Sequence, residues 1–568
     1  MQPLRGFSMS TSLRRFARPI LASLALALMV HPTAWANDPA TSQLREQQRT
    51  LQLQERRQRL ERWQRRRQPG PVRVDPAPPT RADSHCWPTA GLRLSGNRVL
   101  SNQQLEAVLR PLWRPCLSVD DVNTLLRAIT DSYVQAGYPA SRPYLAHRPQ
   151  AGKPLAIVIV EGFVESIELA GADLPLSLRG AFPDLLGQPL YLPALEQGLD
   201  QLNRLRAYDL NADLLPGEIQ SGTRVVIQPR RTGSRWHLDS RLDNRGSDLT
   251  GRHRLNLGLG LDSPLGLNDD LRLGVASTVF DAPGQSQGVN LYYSVPYGPW
   301  SLAVNASWMR YRAPLPQRRQ VSTGESHLQG LSVERLLWRN SQGMLSALAR
   351  LDRKQLVNRI QHTAIAQQSP TLTTFEAGLN LLWLEGGLWN AYVGVSQNLD
   401  WFGAEHSLLP SERAAQTHWR KYRASFVHLR QGPAQWPWRW QSELNLQYSE
   451  QPLAAIEQLL LSDDAAVRGW RQDTVAGASG AVWRNTFSQP LPFSRTLEIR
   501  PHLGLDLGWT RFTPASAPQR IAGGALGVVL GPPANHLRLD YQRALYASER
   551  NRRSLEPGLW VLEWTLSL

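Results

Sequence analysis

From Trp236 to the last residue, apolar side chains return at every second position. Trp236, Leu238, Ser240 and Leu242 alternate with His237, Asp239, Arg241 and Asp243, and Leu255, Leu257, Leu259 and Leu261 alternate with Asn256, Gly258, Gly260 and Asp262. The same period runs through Leu271, Leu273 and Val275, through Trp440, Ser442, Leu444, Leu446 and Tyr448, and through Trp560, Leu562, Trp564, Leu566 and Leu568. One apolar and one polar or glycine face, sustained over roughly 330 residues, predicts antiparallel strands closed into a membrane barrel with lipid outside and water inside. At about 20 residues per strand and connection, the segment 235–568 holds about 16 strands. A soluble sandwich or propeller also alternates. The Trp and Tyr residues near the strand ends favour the membrane form.

Ahead of the barrel the period changes. Ser101–Leu109 and Val119–Ala136 read as amphipathic helices, the second opened by Ser118 as N-cap and closed by Gly137, with strands at Gly91–Ser95 and Ala156–Val160. A second cycle places a strand at Val164–Leu169, a helix at Pro193–Arg206 and strands near Asn211–Leu215 and Arg224–Gln228. Two successive α+β modules, residues 86–162 and 163–230, fit this stretch.

The first 36 residues read as an export signal. Arg14, Arg15 and Arg18 precede an apolar run from Ile20 to Val30, and Ala34-Trp35-Ala36 supplies a small-x-small cleavage site. The run is too short to span a bilayer as a helix, which takes about 20 residues, and no later stretch reaches that length. Within residues 37–68 the run Thr41–Gln68, rich in Gln, Arg and Leu without Gly or Pro, predicts a helix with a thin apolar stripe. Its polar girth suits a water-filled lumen. Residues 69–85, proline-rich from Pro69 to Pro79, form an extended linker.

Export changes how the charge and the cysteines are read. Of the formal net charge of +16, four belong to the export segment and six to residues 37–81, so little is left for a basic surface spread over the fold, and nucleic acid is not an expected partner. The two cysteines, Cys86 and Cys116, meet an oxidising compartment and are expected to form a disulfide across the first module. With no matched histidines they do not make a metal site. No Ser/His/Asp constellation or phosphate-binding glycine loop stands out, so neither catalysis nor a cofactor is expected.

Several segments carry a resemblance. The first module shows Ala136-Gly137-Tyr138-Pro139-Ala140-Ser141-Arg142; the second shows Val160-Glu161-Gly162-Phe163-Val164-Glu165 and the run Leu195 to Leu205. The barrel opens with Asp243-Asn244-Arg245-Gly246, continues with Pro264-Leu265-Gly266-Leu267-Asn268-Asp269 and Tyr293-Ser294-Val295-Pro296-Tyr297-Gly298, and carries Val467-Arg468-Gly469-Trp470. In this order they resemble the two-partner secretion transporters, the haemolysin-activator and filamentous-haemagglutinin-transporter family, with two POTRA domains before the barrel. The resemblance implies that Arg468, Gly469 and Trp470 lie on a long loop folded back into the lumen, with an aspartate of the inner wall as partner. The alternation of Leu503, Leu505 and Leu507 with Gly504, Asp506 and Gly508 places Asp506 on that inner face.

The function so implied is outer-membrane translocation of a large partner exoprotein, an adhesin, cytolysin or contact-dependent toxin, recognised through its N-terminal transport domain. Residues 37–68 would be the plug helix, the barrel a monomer in outer-membrane lipid, and the barrel assembly machinery its partner during biogenesis. An outer-membrane assembly factor and a passive porin are the alternatives. The chain departs from the family in ending at Leu568 where an aromatic residue is usual, and in lacking an acid within Val475–Gly480.

Overall fold

The computed structural model describes residues 86–568 apart from 172, 281–282, 316–319, 366–367, 405–417, 463–464, 493–497 and 549–554. The export signal, the Gln/Arg-rich helix and the proline linker expected over residues 1–85 lie outside the described residues.

In the first module Leu92–Ser95 runs parallel to Leu155–Val160, whose other side takes Arg142–Leu145 antiparallel. The helices Asn102–Leu109 and Val119–Gln135 pack on this sheet. Val122, Leu125, Ile129 and Tyr133 recur at helical spacing and are buried with Leu105, Leu109, Leu155, Ile157 and Ile159. Both helices begin in capping boxes, Ser101 with Gln104 and Ser118 with Asp121, and Gly137 leaves the second at φ +91°. A short pair, Cys86–Pro88 against Cys116–Ser118, closes the module's edge, and a disulfide joins Cys86 to Cys116 there with Cα atoms 5.5 Å apart. The strand Arg142–Leu145 has no counterpart in the sequence reading because Pro143 interrupts its pattern. It survives as an edge strand, where a missing N–H costs no ladder bond.

The amide and hydroxyl of Ser118 donate to the Asp121 carboxylate and hold it below the usual carboxylate range. A carboxyl whose folded value is depressed stabilises the fold above its unfolded value and loses that contribution as pH falls through the folded one. Ser118→Ala is therefore expected to cost about 1 kcal/mol at neutral pH. Thermal unfolding should show the gap to the native protein narrowing in acid.

In the second module Phe163–Leu169 runs parallel to Gly222–Thr232, which pairs on its other side with Tyr208–Pro216. The core joins Val164, Phe182, Leu195, Leu202, Leu205, Val225 and Ile227. The helix expected over Pro193–Arg206 is Leu192–Leu202 instead. Asn203 ends it by exchanging two hydrogen bonds with the Leu210 backbone, 2.8 and 2.7 Å, in place of a further helical turn.

That early stop frees Arg204 to reach the barrel. Its guanidinium donates to the carbonyls of Ser294 (2.8 Å) and Asn268 (3.1 Å), and Asn268 bonds both backbone groups of Ser177. Arg339 pairs with Glu196 and Asp200. The Leu195–Leu205 and Pro264–Asp269 motifs are thus two faces of one polar joint that seats the second module beneath the barrel.

Among the described residues sixteen long antiparallel strands close the barrel, the first, Trp236–Asp243, pairing with the last, Leu559–Ser567. The two-residue period sorts outside from inside. On Glu498–Arg511, Leu503, Leu505 and Leu507 are exposed on the outer face while Asp506 is 1% exposed. Leu568 exchanges backbone bonds with Leu238, so the terminal residue completes the seam whatever its side chain. Three neighbouring strands, Trp300–Leu315, Gln320–Arg339 and Gly343–Ile360, are the longest among the described residues, well beyond the roughly 10 residues needed to cross the hydrocarbon.

Candidate functional site

The chain between strands Arg439–Tyr448 and Ser479–Ser488 turns into the lumen rather than out to solvent. Its inbound limb seats Ile456 among Tyr311, Ala313, Leu328, Leu356 and Leu372, residues of the fifth to eighth strands. Leu459–Leu460 then pairs with Ala476–Gly477, so the loop carries a small sheet of its own. Its tip packs Leu461, Ala466, Val467 and Trp470 against Val482, Ile521, Ala544 and Ala547 of strands Ser479–Ser488, Gln519–Leu530 and Asn535–Ala547. The loop therefore spans the lumen from one side of the barrel to the other.

Arg468 is fully buried at the tip. Its Nε and Nη2 donate to the two oxygens of Asp506, each at 2.6 Å, and its backbone N–H donates to the same carboxylate at 3.0 Å. Nη2 also reaches the carbonyl of Asn485 at 2.7 Å. A bidentate, doubly charged contact shut off from water fixes both the position and the orientation of the loop tip.

Three glycines make the approach feasible. A Cβ on Gly504 would lie 2.2 Å from the Arg468 guanidinium carbon, and one on Gly523 would lie 1.8 Å from the Arg468 carbonyl oxygen. Gly469, at φ +89°, presses against the Arg543 backbone, where a Cβ would sit 2.2 Å away. Trp470 donates its indole N–H to the Ala522 carbonyl, 3.2 Å. Past the tip, the Glu556 carboxylate accepts the backbone N–H groups of Arg471, Gln472 and Asp473 at 2.7 to 3.0 Å.

Nearer the loop's start, Glu457 takes one hydrogen bond on each carboxylate oxygen, from Lys354 and from Lys421, both at 2.6 Å. These three charges are all buried.

The structure thus brings Arg468, Gly469, Trp470 and Asp506 into one cluster and sets the Cys86–Cys116 bridge apart in the first module. Sequence reading missed Glu457, its two lysines, Glu556 and the glycines facing Arg468. One signal was available: Glu457 is the lone charge in the apolar stretch Leu453–Leu461.

The family described as haemolysin secretion/activation protein ShlB/FhaC/HecB matches residues 221–530. A ShlB-type POTRA domain matches 87–162 and a second POTRA domain 163–216. The hemolysin transporter protein ShlB of Serratia marcescens is 33% identical over 524 residues, covering 90% of this chain and 87% of that one. The hemolysin transporter protein HpmB of Proteus mirabilis is 32% identical over 481 residues, covering 82% and 81%. The solved structure of CdiB from Escherichia coli superposes with a TM-score of 0.85 at 24% identity, covering 94% of this chain and 99% of that one, a likeness of fold.

Proposed function

The chain belongs to the haemolysin secretion/activation family ShlB/FhaC/HecB, and on that premise we propose that it carries one large partner exoprotein from the periplasm to the cell surface through its own barrel. It is an outer-membrane transporter of the two-partner secretion type, with its POTRA domains in the periplasm. The observation that carries the reading is the lumen-spanning loop with Arg468 bound to Asp506, above a module bolted to the barrel's periplasmic turns. A passive porin has no use for the periplasmic modules.

The cargo, an adhesin, cytolysin or contact-dependent toxin, enters extended, with its N-terminal transport domain captured on the modules. Tyr208–Pro216 presents a free sheet edge among the described residues, with Leu214 and Leu215 exposed beside it. An extended segment adds to such an edge through main-chain bonds, and side-chain contacts supply the selectivity. No nucleotide is at hand outside the inner membrane, so cargo folding at the surface drives net movement. The transporter works as a monomer whose own barrel is inserted by the barrel assembly machinery.

The test is secretion of the partner exoprotein, expected to be encoded beside this gene. Cells with the transporter should release it, and cells without it should retain it in the periplasm. Leu214→Asp with Leu215→Asp should weaken binding of the cargo's transport domain by roughly tenfold. Release that does not depend on the transporter would overturn the reading.

A further inference from the structure

We infer that Glu457, held by Lys354 and Lys421, is a second latch on the lumen-spanning loop, independent of the Arg468 contact, and that the pore opens fully only when both release. This rests on the transport reading above and names three further positioning residues for it.

The latch is built from three buried charges on three separate parts of the chain. Lys354 stands on Gly343–Ile360, Lys421 on Arg420–Gln431, and Glu457 on the loop's inbound limb. Each ammonium takes its own carboxylate oxygen at 2.6 Å. Lys421 also donates to the Glu457 carbonyl, as does Gln447 at 3.0 Å, and its ammonium lies 5.3 Å from the centre of the buried Trp419 ring. Removing Glu457 would leave two buried ammonium groups without the carboxylate that holds them, an uncompensated charge in a shielded site. Asp506 lies on a different stretch of wall, so the two latches pin the inbound limb and the tip of the loop separately.

Composition gives a second, independent argument. Of the 63 cationic side chains in the protein, lysine supplies only three, Lys153, Lys354 and Lys421; arginine supplies the rest. Two of those three meet on Glu457. Each compact ammonium takes one oxygen of the single carboxylate in this buried setting, where the larger planar guanidinium of an arginine would crowd its neighbours. The lysines mark a site where geometry, and not charge alone, is required.

The experiment uses the full-length transporter, with hydrogen exchange read by mass spectrometry and conductance read in planar bilayers. Glu457→Gln, Lys354→Arg and Lys421→Arg should each accelerate exchange over residues 454–461 by roughly tenfold or more, while residues 466–473 keep their protection. Arg468→Ala should do the reverse. Conductance should rise modestly with either latch broken and by more than the sum in Glu457→Gln with Arg468→Ala. If Glu457→Gln fails to reach the membrane, Glu457→Gln with both lysines changed to Met removes the stranded charges and should fold with the same loss of protection.

Wild-type exchange over 454–461 in the Glu457 and lysine variants would overturn the second latch and leave the transport reading standing. The expected exchange pattern combined with undiminished secretion from every latch variant would keep the latch and overturn the loop's part in transport.

Discussion

Arg468→Ala is expected to abolish or nearly abolish secretion of the partner exoprotein while the barrel still folds and reaches the outer membrane. The substitution strands Asp506, 1% exposed, without the guanidinium that binds both its oxygens. Stranding one partner of a buried ion pair costs about 3 to 5 kcal/mol, and burial this deep puts the cost at the upper end. The loop tip is then expected to leave its seat, because the Arg468 backbone N–H was also bound to that carboxylate. Asp506→Ala should fail in the same way. If both act through one contact, the double variant should be no worse than either single one, and its barrel should resist heat better, since no lone charge is left behind. Arg468→Lys should restore little, because an ammonium cannot reproduce two parallel bonds. Gel mobility with and without heating checks the barrel, and immunoblots of the medium check secretion. Normal secretion from Arg468→Ala would show the contact to be dispensable.

The second large effect is expected in the periplasm. The Cys86–Cys116 bridge closes a loop with a sequence separation of 30 around Leu92–Ser95 and the first helix. The chain-entropy argument assigns such a loop roughly 3 to 4 kcal/mol. A small domain has only about 5 to 15 kcal/mol in total, so Cys86→Ser or Cys116→Ser should leave the first module close to unfolding at body temperature. Limited proteolysis should then cut within residues 86–162 while the barrel remains intact. Unchanged resistance to protease, or two free thiols found by mass spectrometry in the native protein, would contradict this account.

The barrel was legible because a strand with water on one side and lipid on the other must alternate, and alternation is a property of neighbours in sequence. The same period sets Asp506 on the inner wall. Helix ends were legible where a side chain caps the backbone, as at Ser118. They were misread where a side chain ends a helix by bonding elsewhere, as Asn203 does. Pairings made only by closing the barrel left no local trace. Lys354 and Glu457 lie 103 residues apart, and only the curvature of the closed sheet puts one beside the other. Gly504 and Gly523 look like ordinary inner-face glycines until the loop above them is known.

The scarcity of lysine has a practical consequence. Reagents that acylate primary amines find Lys153, which is exposed on the first module. Lys354 and Lys421 are shielded while the loop is home. Brief pulses of such a reagent on working cells would record each withdrawal of the loop as new acylation at these two positions. The transporter thus carries its own chemical clock for the open state, readable without engineering a residue into it.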